Sequence, residues 1–270
     1  MMVQKPSLDK LFAGIYKSYK AQKRRNAVRD FETILKLKKF KYEINFQVKD
    51  IPQIPTIIVA NHFVRPFFLR LSPFTTSESM ITSAIITQLA SRLMGDKITW
   101  VVKNDLKENI FFLSIKLRKI QLASIYCYNF IGVSKNYPFG QFEKWAKFLK
   151  SGYSIAVYPE GQISSQMKEA KPSFDKLLDY LKSIKVIFQI LPVSIYCKKG
   201  SFETIVGYPI NPTASGAEAA KTTMLSIAGN LPVYLQGTYR KKIEEFKAQA
   251  RQQPANGQTQ EFPEPEASAV

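Results

Sequence analysis

Two apolar runs that each stop on a polar cluster constrain the fold of this chain more than any other feature. Ile57-Ile58-Val59-Ala60 runs into Asn61-His62, and Tyr153-Ser154-Ile155-Ala156-Val157-Tyr158 runs into Pro159-Glu160-Gly161. Short β-compatible runs of this kind read as buried strands. Strands that end in small polar clusters suit an α/β sheet whose carboxyl ends form a site. His62 is the only histidine among 270 residues. At a strand end it is a candidate for proton chemistry, because imidazole alone titrates unperturbed near neutral pH. The plainer reading is a histidine that satisfies a loop hydrogen bond, and the second cluster favours the chemical one.

Around these runs, strands and helices alternate. Lys41 to Val48 alternates as a strand, and Ile98 to Lys103, Ile131 to Val133, Val186 to Tyr196 and Ile205 to Ile210 read as further strands. Helices are expected over Glu78 to Met94 behind a Ser77 cap, Phe111 to Leu122 or beyond, Gly140 to Lys150, Ser173 to Leu181 and Lys221 to Ala228. Such alternation means α/β layering. Beyond Ala248 the composition turns to Gln, Pro, Ala and Glu, which predicts disorder.

Charge is the strongest bulk signal, with 39 Lys+Arg against 21 Asp+Glu and a net +18. Half of the excess lies between Met1 and Lys49, where 13 basic residues face 4 acidic ones. Within that segment Leu8, Leu11, Phe12, Ile15, Tyr16 and Tyr19 fall on one helical stripe. Two readings stay open: a helix docked on the core with a solvated basic face, or a helix lying in an anionic membrane interface. No stretch approaches the ~20 apolar residues that cross a bilayer. Cys127 and Cys197 sit in apolar contexts without CxxC spacing, so they read as buried thiols. One histidine and two cysteines make a zinc site a poor expectation.

Taken in order, Asn61-His62, Ile131-Gly132-Val133-Ser134-Lys135, Tyr158-Pro159-Glu160-Gly161 and Leu191-Pro192-Val193 resemble the four blocks of the glycerolipid acyltransferase family. Gly207-Tyr208-Pro209-Ile210 is similar to a later turn of that family. The resemblance spans roughly Ile57 to Ile210. It implies a mixed α/β sheet flanked by helices, with an acyltransferase-like α/β domain over 49–240; by composition and periodicity a basic helical segment with the first strand precedes it over 1–48, and a tail expected to be disordered follows over 249–270. The implied reaction moves a fatty acyl group from acyl-CoA or acyl-carrier protein to a hydroxyl of a lysophospholipid, glycerol phosphate or related lipid. No metal or redox cofactor is implied. An anionic membrane surface is the expected partner, with the protein cytoplasmic and peripheral to the membrane.

By resemblance His62 is the general base that takes the acceptor's proton, with a carboxylate fixing its tautomer. The chain departs from the family here, because Phe67 stands where an aspartate is expected. The enzyme is then dead, works without an acid, or has moved it. The third is favoured, with Glu78 in the first turn of the next helix after an apparent 11-residue insertion, Phe67 to Ser77. Lys135 stands where the family holds the acceptor's phosphate with arginine. Glu160 and Gly161 match the block that binds the acceptor's polar head, and Arg65 could supply the positive charge that Gln162, Ile163 and Ser164 lack. Phe63, Phe67, Phe68, Leu69, Leu71 and Phe74 suggest a lid or a wall beside an acyl tunnel.

Other classes fit less well. A nucleic-acid binder would need an aromatic-and-basic platform or a helix-turn-helix, and neither pattern is present. A serine hydrolase of the usual α/β kind would want a G-x-S-x-G elbow, also absent. A catalytically impaired acyltransferase fold that binds lipid or carrier protein is the alternative.

Overall fold

The two apolar runs around Ile58 and Ala156 become adjacent, fully buried strands. A computed structural model describes residues 7–38, 41–62, 72–103, 111–133 and 139–252. In chain order the elements are α1 (Leu8–Lys20), α2 (Ala27–Lys38), β1 (Lys41–Phe46), β2 (Thr56–Ala60), α3 (Ser72–Met94), β3 (Ile98–Lys103) and α4 (Phe111–Cys127). They continue with β4 (Ile131–Val133), α5 (Phe139–Lys150), β5 (Ser154–Val157), α6 (Pro172–Ser183), β6 (Gln189–Lys198), β7 (Ser201–Val206), α7 (Gly216–Gly229) and α8 (Arg240–Gln252). The strands form one mixed sheet in the order β1-β7-β6-β2-β5-β3-β4. All neighbours are parallel except the β6–β7 hairpin.

Burial on both faces explains why β2 and β5 carry no polar alternation. On one face Ile57, Val59, Ile155 and Val157 pack with Trp145, Leu149, Leu178 and Ile227. On the other, Ile58, Ala60 and Ala156 pack with Ile86, Leu89 and Trp100. Middle residues of α3 are buried around several of its sides, including Ile81, Ala84, Ile85, Ile86, Leu89 and Ala90. It lies between the sheet and the N-terminal helices.

Between the two readings of the N-terminal stripe, the structure favours docking. Leu11 and Ile15 are buried against Ile34, Cys127 and Tyr128, with Leu8, Phe12 and Tyr16 partly covered beside them. Arg25 is held internally as well: its Nε and Nη2 donate to the two Asp30 oxygens at 2.6 and 2.7 Å, and Tyr128 donates to the same carboxylate at 2.8 Å. Lys23, Arg24 and Arg29 are left facing solvent.

Several boundaries differ from the sequence reading. The basic segment expected to be helical forms two helices, α1 and α2. α3 begins at Ser72, not after Ser77, so Glu78 is nearly two turns inside the helix and the favourable first-turn position no longer applies. The last strand is Ser201–Val206 instead of Ile205–Ile210. Lys199 and Gly200 both have positive φ and close a two-residue hairpin that the sequence reading passed over. Gly207 then packs on Pro192, and Ile210 returns only as a bridge to Ile190. α8 extends to Gln252, past the expected start of the tail, and the remainder of that tail lies outside the described residues.

Asn61 extends the β2–β6 ladder one step beyond the strand. Its Nδ2 donates to the Ile195 carbonyl at 2.9 Å, and its Oδ1 accepts from the Ile195 N–H at 2.8 Å. Asn61→Ala would strand both buried backbone groups, at a cost of ~1–3 kcal/mol each. A loss of about 2–6 kcal/mol in urea unfolding is expected, and a loss below about 0.5 kcal/mol would contradict this bracing role.

Candidate active site

His62 lies immediately beyond β2, at the carboxyl edge of the sheet, and three elements fix it. Just past β5, the Tyr158 ring stacks on the imidazole with centroids 4.0 Å apart and planes 3° from parallel. From α3, Ser79 Oγ lies 2.8 Å from His62 Nε2. From the turn after β5, Glu160 Oε1 accepts from the His62 backbone N–H at 3.2 Å, and the His62 carbonyl accepts from Ser164 N–H at 3.2 Å. Backbone and ring are therefore both held.

Tyr158 is itself anchored. Its hydroxyl lies 3.2 Å from Thr82 Oγ1 and 3.1 Å from Ser83 Oγ, so Ser79, Thr82 and Ser83 turn one polar face of α3 toward β5. The steps of three and four residues place them on a common side of the helix. Thr82 Oγ1 also donates to the Ser79 carbonyl at 2.9 Å.

Glu160 acts as a buried brace. At 1% exposure it accepts from His62 N–H through one oxygen and from Lys168 N–H through the other, the latter at 3.1 Å. Gly161 carries the chain out of this turn at φ +63°, a conformation that costs glycine little. A second glycine supports the brace from behind. A Cβ on Gly237 would lie 1.9 Å from the Met167 carbonyl oxygen, so Gly237 (φ +53°) permits the close approach that seats the 166–168 segment. Asn61, His62, Glu160, Ser164, Gln166, Met167 and Leu235 line a small cleft there.

Burial sets the electrostatics. Desolvation lowers the His62 pKa to about 4, which keeps the ring neutral at physiological pH. Desolvation raises Glu160 to about 7, opposed by its hydrogen bonds from the His62 and Lys168 amides and by the Lys168 charge. Tyr158 is pushed up to about 12, again mainly by burial, so it remains a neutral phenol.

His62 and Glu160 are thus brought together, with Gly161 beside them. Glu78 is buried on α3, one residue before Ser79. Arg65 and Lys135 lie outside the described residues, as do Phe63, Phe67, Phe68, Leu69, Leu71 and Ser134; Phe74 is on α3, but nothing of its side chain is described. The sequence reading missed Ser79 and the stacking role of Tyr158. Tyr158 begins the Tyr158-Pro159-Glu160-Gly161 block, whereas no sequence pattern marks Ser79. Among the described residues no group of three or more His, Cys, Asp or Glu side chains could hold a metal ion, and no helix is long and apolar enough to cross a membrane.

No family model matches the sequence, and no curated protein matches it. Among solved structures, the chain is similar to the 1-acyl-sn-glycerophosphate (LPA) acyltransferase PlsC from Thermotoga maritima, with a TM-score of 0.44 and 16% identity over 91% of this chain and 85% of that one.

Proposed function

We propose that this protein is an O-acyltransferase that moves a fatty acyl group from an acyl thioester to a hydroxyl of a lysophospholipid, glycerol phosphate or related lipid. The observation that carries the reading is His62: a neutral imidazole at the carboxyl edge of the sheet, with its Nε2 already 2.8 Å from a hydroxyl oxygen. An alcohol that attacks a thioester must lose a proton as it does so, and a positioned neutral imidazole can take it. The ordered strand-end blocks of the sequence support the same chemistry.

In this reading Glu160 and Gly161 shape the turn that seats His62, and Arg65 and Lys135 hold the acceptor's phosphate or polar head. Glu78, a carboxylate buried on the same helix as Ser79, offsets the imidazolium that forms. The donor is acyl-CoA or acyl-carrier protein. Phe67 at the family's acidic position favours one second reading, an impaired fold that binds lipid or carrier protein without turnover. Purified protein with a labelled acyl-CoA and a panel of lipid acceptors separates the two. His62→Ala is expected to lower transfer ~10²–10⁴-fold, and Glu78→Gln to lower it less. Near-normal turnover of His62→Ala would overturn the base assignment.

Membrane contact is proposed at the edge that carries the site. Lys41, Lys103 and Lys199 are exposed there, at the start of β1 (which runs opposite to β2), at the end of β3 and just past β6. Lys23, Arg24 and Arg29 lie at the other edge, where Asn26 bonds Asp96 beyond the far end of α3. At 1.5 Å per residue that end is roughly 22 Å from Ser79. Each basic residue near an anionic surface is worth ~1 kcal/mol. Reversing Lys41, Lys103 and Lys199 together is expected to weaken binding to phosphatidylserine vesicles by about two orders of magnitude or more, and the Lys23, Arg24 and Arg29 set much less. The opposite ranking would place the membrane at the other edge.

A further inference from the structure

We propose that Ser79 and His62 form a nucleophile–base pair, so that the acyl group passes through a covalent ester on Ser79 Oγ before it reaches its acceptor. The inference rests on the acyl-thioester reading above and adds an intermediate to it. Ser79 Oγ lies 2.8 Å from His62 Nε2, the separation at which a base activates a serine hydroxyl. Ser79 is only partly covered, in contrast to the fully buried Thr82 one turn on.

The base is aimed at Ser79 by groups that leave Nε2 accessible to it. Tyr158 fixes the ring plane by stacking, while Glu160 and Ser164 clamp the His62 backbone on either side. A hydroxyl is a poor substitute for an orienting carboxylate, because it cannot offset the charge of an imidazolium. It is well suited to donate a proton to a neutral imidazole. The pair therefore fits nucleophile and base better than base and orienter.

The steps balance without a co-reactant. Ser79 Oγ attacks the thioester carbonyl as His62 Nε2 takes the hydroxyl proton. The C–S bond breaks, and the thiolate leaves with that proton as a free thiol, which gives acyl-Ser79. The acceptor hydroxyl then attacks the ester carbonyl and passes its proton to His62. The C–Oγ bond breaks, and Ser79 Oγ recovers the proton. Water in place of the acceptor gives free fatty acid and the same resting enzyme.

The test uses the full chain with palmitoyl-CoA alone, quenched in acid and read by intact mass and peptide mapping. One palmitoyl group on the peptide containing Ser79 is expected, with a burst of about one free thiol per protein. Ser79→Ala should remove both. Ser79→Cys should carry the group as a hydroxylamine-labile thioester, which shows that the substituted helix still folds. In parallel, a fluorophosphonate probe, which needs no acyl donor, should label Ser79 and fail to label His62→Ala. Adduct and thiol release without product on any lipid acceptor would sustain the nucleophile and overturn the lipid-acceptor reading. Transfer to lipid with no adduct, and unchanged in Ser79→Ala, would overturn the nucleophile and leave the acyltransferase reading intact. Neither thiol release nor probe labelling would overturn both.

Discussion

Parallel pairing of β2 with β5 on one side and β6 on the other brings the site together. Ile57, Ile58 and Val59 align with Ile155, Ala156 and Val157, so the two strands end at nearly the same height. His62 and Tyr158 then emerge side by side, and Glu160 follows close enough to take the His62 amide. A slip of two residues in this register would separate the stacked rings by about 6–7 Å. The pairing is protected by burial on both faces, which excludes water from the ladder and leaves no alternative for the apolar side chains.

The same burial determines the chemistry. A ring flanked by Tyr158 and α3 pays a desolvation cost for its charged form, so His62 stays neutral far below its usual titration range. Because its folded pKa lies below the unfolded value, the stability this contributes is complete above about pH 6.5 and is lost as pH falls toward 4. Glu160 is linked in the opposite sense. Its raised pKa favours the fold at low pH, and that contribution fades as pH rises through about 7. Two titrating groups joined through one backbone amide thus pull in opposite directions between about pH 4 and 7.

Much of this architecture was legible from the chain. β3 and β4 were read to the residue, because short apolar strands bounded by polar or turn residues leave little freedom in their ends. The strand-end clusters pointed to His62 and Glu160 because periodicity stops where a sheet stops. Three things were hidden for physical reasons. The positive-φ turn at Lys199-Gly200 lacks the Asn-Gly pair that usually announces such hairpins, so β7 was placed four residues late. Ser77 looked like a cap with Glu78 in the first turn, whereas the helix begins at Ser72. And the Ser79–His62 contact joins residues 17 apart across a strand-to-helix connection, where no local pattern records which side of the helix will face the ring.

A single histidine makes the decisive measurement unusually clean. In a ¹⁵N–¹H correlation spectrum of the imidazole, every histidine signal belongs to His62. The enclosed, hydrogen-bonded ring is expected to show one neutral tautomer through pH 5–8, with a midpoint near 4 that rises when Tyr158→Ala opens one face. A wild-type midpoint near 6.5, with fast tautomer exchange and no change in Tyr158→Ala, would describe a solvated histidine and contradict a preorganised base at the sheet edge.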